Sequence, residues 1–340
     1  MTTRSASRLA SALLALTFAA AVPAFARASR SADDALSLVP ADAASVAVVR
    51  LNDLRSSPLA GKLFENADHM TVDGDAARFL EEARLNPKED VDTVVVAGMP
   101  PSAGGETSAL VMFEGRFEPQ RLASAAEGRG AVRVSSPGGD YYLLPEKKER
   151  GHKGAVAFVS ARLVIAGSEP AVVRALADRA AGTTGFTGGA GLGRQLARID
   201  RGASAWALVD VARYPSLRNR RANVHVEGEA NGEAFAVIGV MKSVSFLVFQ
   251  ASARGDALDL SAAGLTADEE TRNLLEDSLR GVLAMWRLAA QEKSPEIVTA
   301  LRKFTVKNDS ESVSVRGTLP GSLLRAMADK AKLRKQRDQR

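Results

Sequence analysis

The chain has 340 residues, carries 45 Lys and Arg against 40 Asp and Glu, and contains no cysteine. A hydrophobic fraction of 46% with 25% charged residues is typical of a folded protein and excludes a disordered polymer or a bundle of membrane helices. Without cysteine thiols there can be no disulfide scaffold, no Cys-ligated zinc or iron–sulfur site and no thiol nucleophile.

The first 26 residues have the pattern of a secretory signal peptide. Two arginines precede an apolar run, and the small-residue motif Ala24-Phe25-Ala26 follows it. We therefore expect cleavage between Ala26 and Arg27 and a periplasmic or secreted protein. The alternative, an uncleaved anchor, is disfavoured because the run is shorter than the ~20 residues that span a bilayer. The apolar stretch 234–249 is interrupted by Lys242 and predicts no membrane span either.

The remaining elements alternate between short strands and helices. Strands are expected near 45–51, 93–98, 108–114, 131–135, 141–144, 155–166, 204–210, 244–253, 257–263, 302–307 and 311–317. Helices are expected near 58–66, 75–85, 118–127, 169–181, 267–290 and 320–335. Hairpin turns are predicted at 160–162, inside the sixth of these strands, and at 254–256. Adjacent strands with helices between them favour an α+β fold, mainly antiparallel with helices packed on the sheet.

Two parts of the chain resemble each other, which predicts two tandem pseudo-repeats. The matched segments are 44–51 with 203–209, 110–115 with 258–264, and 172–178 with 323–329. We therefore divide the chain into a signal peptide (1–26), repeat 1 (27–183), a Gly-rich linker (184–194), repeat 2 (195–329) and a basic tail (330–340). A cleft between the repeats is the expected ligand or partner site, because pockets favour domain interfaces.

Catalytic and phosphate-binding motifs are weak. Gly188 and Gly193 have the spacing of a P-loop but lack its Lys and its Ser or Thr, so a flexible connector is favoured. The segment Asp73-Gly74-Asp75 is interpreted as a turn and helix cap, and Glu89-Asp90-Val91-Asp92 as a solvated strand entry rather than a catalytic pair. No G-x-S-x-G serine elbow is present.

Only three histidines occur, His69, His152 and His225, and none is spaced to share a helix face with another. A serine paired with His152 or His225 stays open as an alternative. No catalytic, cofactor-binding or metal-binding residue is assigned, and no cofactor is expected. Trp206 and Trp286 are expected to pack in the core, where large aromatic side chains are usually found.

The basic excess of the chain, which has a formal net charge of +5, is concentrated in the tail 330–340. A solubilising end is favoured over a membrane or nucleic-acid contact of the terminal helix with Leu323, Leu324, Met327 and Leu333. Specific nucleic-acid binding is therefore not expected.

Four short phrases recur in a wider group of proteins. They are 38–43 (LVPADA), 85–92 (LNPKEDVD), 114–117 (EGRF) and 165–170 (IAGSEP). On these phrases the chain resembles a loosely defined group of bacterial extracytoplasmic proteins of unknown function. The resemblance implies an exported α+β protein and transfers no site residue.

Three functions remain as hypotheses. The first is a non-catalytic exported binding or envelope-associated interaction protein, with an unknown envelope protein or small ligand as partner, which predicts an exposed apolar patch. The second is a secreted hydrolase with a cryptic Ser/His or metal site around the histidines. The third is a lipid or apolar-ligand carrier, which predicts an apolar void lined by Phe235, Phe246, Phe249 and Trp286.

Overall fold

Twelve β-strands form a single antiparallel sheet in a computed structural model of the chain. The structure describes residues 35–59, 74–101, 108–145, 153–183, 185–188, 191–200, 202–214, 244–291 and 295–326. The signal-peptide region, the basic tail, Phe235 and the three histidines lie outside these residues, as does most of the helix expected over 58–66.

The strands lie where the sequence predicts them. The first seven are β1 (Ser45–Arg50), β2 (Val91–Gly98), β3 (Ala109–Gly115), β4 (Val132–Ser136), β5 (Gly139–Leu143), β6 (Gly154–Ser160) and β7 (Leu163–Ser168). The other five are β8 (Ala205–Asp210), β9 (Phe246–Ala253), β10 (Ala257–Leu265), β11 (Thr305–Asn308) and β12 (Ser312–Pro320). Both predicted hairpin turns are present, and Gly255 in the second has φ +58°, a left-handed conformation that suits glycine.

Seven α-helices connect the strands within the described ranges. They are α1 (Leu51–Arg55), α2 (Gly74–Glu82), α3 (Pro87–Asp90), α4 (Pro119–Glu127), α5 (Glu169–Ala180), α6 (Glu269–Gln291) and α7 (Pro295–Arg302). Residues 321–326 are also helical. Helices α1, α3 and α7 were not predicted, because each has eight residues or fewer and shows little periodicity. None of the helices in these ranges is long and apolar enough to cross a membrane.

The strand order is β11-β12-β10-β9-β8-β1-β2-β3-β7-β6-β5-β4, and every pairing is antiparallel. The expected α+β fold with an antiparallel sheet is therefore confirmed. The two parts of the chain meet where β1 pairs with β8, with Ala47 opposite Ala207. They share one sheet at this point, so the strand pairing itself leaves no gap between them.

The sheet buries side chains on both faces, which we name after the helices that cover them. On the α5 face, Val48, Trp206 and Ile165 form the largest apolar cluster with α5. On the α6 face, separate clusters lie under α1, under α2 with α4, and under α6. The alternating burial of β2 follows from this arrangement, because successive side chains of a strand point to opposite faces.

The Gly-rich linker differs from the flexible connector that its composition suggests. Its described parts form 3-10 turns over Gly185–Gly188 and Gly191–Arg198. Phe186 is 1% exposed, belongs to the cluster of the α5 face, and donates its backbone N–H to the carbonyl of Val39 at 2.9 Å. A Cβ on Gly185 would lie 2.5 Å from that carbonyl, so glycine is needed for this close approach.

Candidate functional site

A cleft of about 620 Å³ opens on the α6 face of the sheet, beside the ends of β2, β3 and β7. Its walls come from the end of α2, from the α3–β2 junction, from the β3–α4 connection and from the β6–β7 turn. The phrases 85–92 and 114–117, which are separated in the sequence, meet here. A cleft between the two repeats was expected from the sequence. The cleft described here instead lies within the first part of the chain.

Backbone hydrogen bonds hold three of these segments together, the β3–α4 connection, the α3–β2 junction and the β6–β7 turn. The N–H of Arg116 donates to the carbonyl of Asp90 at 2.7 Å, and the N–H of Gly115 donates to the carbonyl of Arg162 at 3.1 Å. A Cβ on Gly115 would lie 1.9 Å from the carbonyl oxygen of Asp90. Glycine at this position therefore lets α3 approach β3 closely enough to form the wall of the cleft.

The floor of the cleft is apolar. Phe117, Leu122 and Ala83 are all buried, and they pack in one cluster with Leu85 at its edge. Leu122 comes from α4, which begins with a proline in its first turn and turns Leu122, Ala125 and Ala126 toward the sheet. The cleft can therefore contact an apolar ligand body from below.

The carboxylates of the cleft are already engaged by neighbouring groups. Asp92 accepts from Nη1 of Arg55 at 2.7 Å and from Nη1 of Arg116 at 3.5 Å. Asp90 accepts the N–H of Asn86 at 2.8 Å, and Glu118 accepts from Nη1 of Arg121 at 2.9 Å. These carboxylates act as structural acceptors. The segment 89–92 is thus a strand entry, as expected, but it also helps to build the cleft.

Two arginines of the cleft, unlike these acids, are not engaged by a neighbouring group. Arg84 and Arg162 are exposed and line the cleft, and among the described residues neither guanidinium has an ion pair or a side-chain hydrogen bond. Arg84 also has φ +50°, the one left-handed non-glycine conformation in these ranges, at a cost of about 1–2 kcal/mol. The cleft therefore has two arginines without an ion pair, Arg84 and Arg162, beside an apolar floor and one carboxylate, Asp90, that is bonded to a neutral N–H.

Arg84 and Arg162 are not among the candidate residues that the sequence predicts. They are 78 positions apart in the sequence and line the same cleft only through the fold, so no local spacing connects them. The one local signal for Arg84 is the pair Asn86-Pro87. A residue before proline disfavours helical dihedrals, so α2 ends ahead of this pair and Arg84 lies in the turn that follows the helix.

The aromatic residues divide into core and surface. Trp206 is buried as predicted, and Tyr141 is buried with its hydroxyl donating to Glu169 at 2.9 Å. Burial, together with Glu169, raises the pKa of Tyr141 above its usual value. The prediction for Trp286 was wrong, because its side chain is 58% exposed on α6.

The apolar void that the carrier hypothesis requires does not form from the described residues proposed for it. Phe246 packs on the α5 face with Val248, whereas Phe249 has the register of Ala251 and Ala253 on the α6 face. Successive odd and even positions of β9 point to opposite faces, so these two rings cannot line one cavity. Among the residues that the structure describes, no three His, Asp or Glu side chains are grouped to hold a metal ion.

Comparison with known proteins gives a distant structural similarity. No known protein family and no curated protein matches the sequence. Two solved structures, crystal forms I and III of TP0453, are similar to 86% of this chain, with 9% sequence identity and a TM-score of 0.46. The similarity covers 96% of the TP0453 chain in form I and 97% in form III. Similarity at this level assigns neither a family nor a function to this chain.

Proposed function

We propose that this chain is an exported, non-catalytic binding protein whose cleft takes an anionic group carried on an apolar body. The observation that carries the proposal is the pair Arg84 and Arg162, which have no ion pair among the described residues, whereas Asp92 and Glu118 beside them are paired with other arginines. An anion gains charge-assisted hydrogen bonds from two guanidinium groups. Its apolar body gains burial against Phe117 and Leu122.

A binding role fits the cleft better than catalysis. The two aspartates of the cleft are engaged in the structure of its wall, because Asp92 accepts from two arginines and Asp90 from a backbone N–H. The geometry therefore supports recognition of charge and shape. The hydrolase hypothesis would need His69, His152 or His225, which lie outside the described residues.

Export of the protein is proposed from its first 26 residues. The arginines, the apolar run and the motif Ala24-Phe25-Ala26 support processing by a signal peptidase and a periplasmic or secreted location. N-terminal sequencing of the protein recovered outside the cytoplasm tests this part, with Arg27 expected as the first residue. An intact Met1 in that fraction would contradict it.

The two tandem repeats are also proposed, and the strand order supports them. A half-turn about the β1–β8 junction relates β1, β2, β3, β7 and β6 to β8, β9, β10, β12 and β11 in order. In this relation, side chains stay on the same face of the sheet when Ala47 corresponds to Ala207. The sequence match of Ser45 with Ser204 would instead make Ala47 correspond to Trp206, so the two matches differ by one position. The helices that follow β7 and β12 depart from the relation, because α5 covers one face and Leu324 packs on the other. An experimental structure in which these strands superpose tests the proposal.

The binding proposal is tested by titration calorimetry with octyl phosphate, inorganic phosphate and the uncharged octyl glucoside, each below its micelle concentration. Octyl phosphate should bind most tightly, because it alone offers both the anion and the apolar chain. The double variant Arg84→Gln/Arg162→Gln should weaken its binding by about tenfold or more. Added salt should weaken binding to the unmodified protein, since the site is exposed.

The matched control is Arg179→Gln/Arg254→Gln, which removes the same charge from exposed positions outside the cleft. It should bind octyl phosphate as the unmodified protein does. Equal losses in both double variants would mean that net charge, and not the cleft, determines binding. Octyl glucoside binding as tightly as octyl phosphate would contradict an anion site.

A further inference from the structure

Asp90 differs from the other carboxylates that line the cleft. Asp92 and Glu118 are each paired with an arginine, whereas Asp90 forms no ion pair with any residue that the structure describes. The hydrogen bond that it accepts, from the backbone N–H of Asn86 at 2.8 Å, comes from a neutral donor. The cleft therefore contains one negative charge without a countercharge, in addition to its two arginines without an ion pair.

The fold does not require a charge at position 90. Asn86 caps α3 by accepting the N–H of Lys88 at 3.2 Å, and Asp90 accepts the N–H of Asn86 in return. A neutral side-chain oxygen can accept the same hydrogen bond. A half-buried carboxylate also loses part of its hydration, which costs more for a charged group than for a neutral one. The charge of Asp90 therefore indicates a ligand that binds it.

Asp90 and Arg162 lie on opposite sides of the end of β3. The backbone carbonyl of Asp90 accepts the N–H of Arg116 at 2.7 Å, and that of Arg162 accepts the N–H of the preceding residue, Gly115, at 3.1 Å. Strands β2 and β7 flank β3 in the sheet, so the two backbone segments are about two strand spacings apart, ~10 Å. A negative and a positive residue thus line the cleft from opposite walls.

The apolar floor lies between these two walls. Phe117 belongs to the connection that follows β3, and Leu122 comes from α4, the helix after that connection. One ligand can therefore meet three kinds of contact in the cleft. Arginine binds an acid, a carboxylate binds an ammonium group, and the floor buries an apolar group.

An α-amino acid carries these three groups on one carbon atom, from which they diverge. Its ammonium and carboxylate can contact opposite walls while its side chain packs on the floor. An anion without an ammonium would leave Asp90 unpaired and be repelled by it, which makes Asp90 a means of discrimination. The head group phosphoethanolamine fits less well, because its phosphate stands between the ammonium and the apolar chain and separates the ammonium from the floor.

We propose that the ligand of this cleft is an apolar α-amino acid, with its carboxylate bound by Arg84 and Arg162 and its ammonium by Asp90. Its side chain packs on the floor formed by Phe117 and Leu122. This inference rests on the proposed anion-binding function and adds the class of ligand. Asp90 then determines specificity, because it selects ligands that carry an ammonium over those that carry an anion alone.

Titration calorimetry of the full purified protein with three matched ligands tests the inference. Phenylalanine carries both charges, phenylpropanoate is the same molecule without the ammonium, and phenylethylamine is the same molecule without the carboxylate. The unmodified protein should bind phenylalanine about tenfold or more tightly than phenylpropanoate. Phenylethylamine should bind most weakly, since two arginines repel it.

Asp90→Asn removes the charge and keeps an oxygen that can accept from Asn86. This variant should bind phenylalanine about tenfold more weakly than the unmodified protein does, and phenylpropanoate at least as tightly. The matched control is Asp277→Asn, which removes the same charge from an exposed position of α6 outside the cleft. It should bind both ligands as the unmodified protein does. The preference of the unmodified protein is itself a readout that needs no variant to fold.

Equal binding of phenylalanine and phenylpropanoate would overturn the inference and leave the anion site intact. A preference for phenylalanine that persists in Asp90→Asn would overturn the role of Asp90. Octyl phosphoethanolamine that binds more tightly than octyl phosphate, with phenylalanine unbound, would assign the ammonium contact to a phospholipid and overturn the amino-acid class. Failure of octyl phosphate itself to bind would instead contradict the proposed function on which the inference rests.

Discussion

Arg55 connects α1 to the strand entry at Asp92, with its Nη1 at 2.7 Å from the carboxylate. The same guanidinium donates from Nε to the carbonyl of Lys88 at 2.5 Å and from Nη2 to that of Val91. One side chain therefore holds the whole α3–β2 junction that forms a wall of the cleft.

Arg55→Ala should destabilise the protein by about 1–3 kcal/mol, because Asp92 and two backbone carbonyls lose a partly buried donor. Arg55→Lys should recover only part of this, since an ammonium cannot reproduce the planar fork of three contacts. Urea unfolding measures both changes. The comparison is Arg254→Ala, whose salt bridge is far more exposed, and a loss as large in that variant would contradict the assigned role of Arg55.

Gly115→Ala and Gly281→Ala should change stability in opposite directions. At Gly115 the new methyl would lie 1.9 Å from the carbonyl oxygen of Asp90, so the backbone must move and the protein should lose about 2 kcal/mol or more. At Gly281 nothing lies within 4 Å, so alanine should add up to about 1 kcal/mol. Thermal unfolding compares the two variants. Equal effects would contradict the close approach at Gly115.

Much of the fold could be predicted because strands have a local signature. The alternating segment 91–98 and the turn around Gly255 indicate their structures without reference to the rest of the chain. The helix α6 was also predicted. The exposure of its apolar residues was not, because periodicity alone does not show that Trp286 and Leu288 are exposed to solvent.

The candidate site could not be predicted, because it depends on long-range backbone contacts. Arg162 is positioned at the cleft by the hydrogen bond from the Gly115 N–H to its backbone carbonyl. Arg84 is positioned there by its left-handed backbone conformation in the turn after α2. Neither arginine has a local pattern that distinguishes it from a solvated surface residue.

The Gly-rich composition around Phe186 predicted a flexible connector, whereas Phe186 packs in the core of the sheet. Composition alone does not show that one aromatic side chain in such a segment is buried.

Phe186→Ala should destabilise the protein by about 3–5 kcal/mol, the cost of removing a fully buried aromatic side chain. A flexible connector would tolerate this change with almost no loss. Chemical denaturation gives the difference, and Thr187→Ala, at an exposed neighbouring position, provides the local comparison. A change below about 1 kcal/mol at Phe186 would show that the linker does not belong to the core.

Trp286 and Trp206 are the two tryptophans of the chain and should differ in their access to solvent. Acrylamide should quench the emission of Trp286, which is exposed, far more than that of the buried Trp206. Trp286→Phe should therefore remove the strongly quenched, red-shifted part of the emission, while Trp206→Phe leaves it. Strong quenching in Trp286→Phe would contradict the assignment.

Asp268 begins α6 as its cap, and its contribution to stability should depend on pH. Hydrogen bonds from the Thr271 side chain, and then from the Thr271 backbone N–H at 2.7 Å, hold the pKa of Asp268 below its usual value of 3.8. Because the folded-state pKa is depressed, the stabilisation is present above the unfolded value and is lost as the pH falls through the folded one. Asp268→Ala should thus lower the melting temperature at neutral pH.

The same variant should approach the unmodified protein as the pH falls below about 4. Asp268→Asn is the matched control, since its side-chain oxygen still accepts the Thr271 N–H but does not titrate. It should be less stable than the unmodified protein at neutral pH and close to it in acid. Thermal melts from pH 2 to 7 measure all three proteins, and a deficit in Asp268→Ala that stays constant over this range would show that the charge of Asp268 does not stabilise the start of α6.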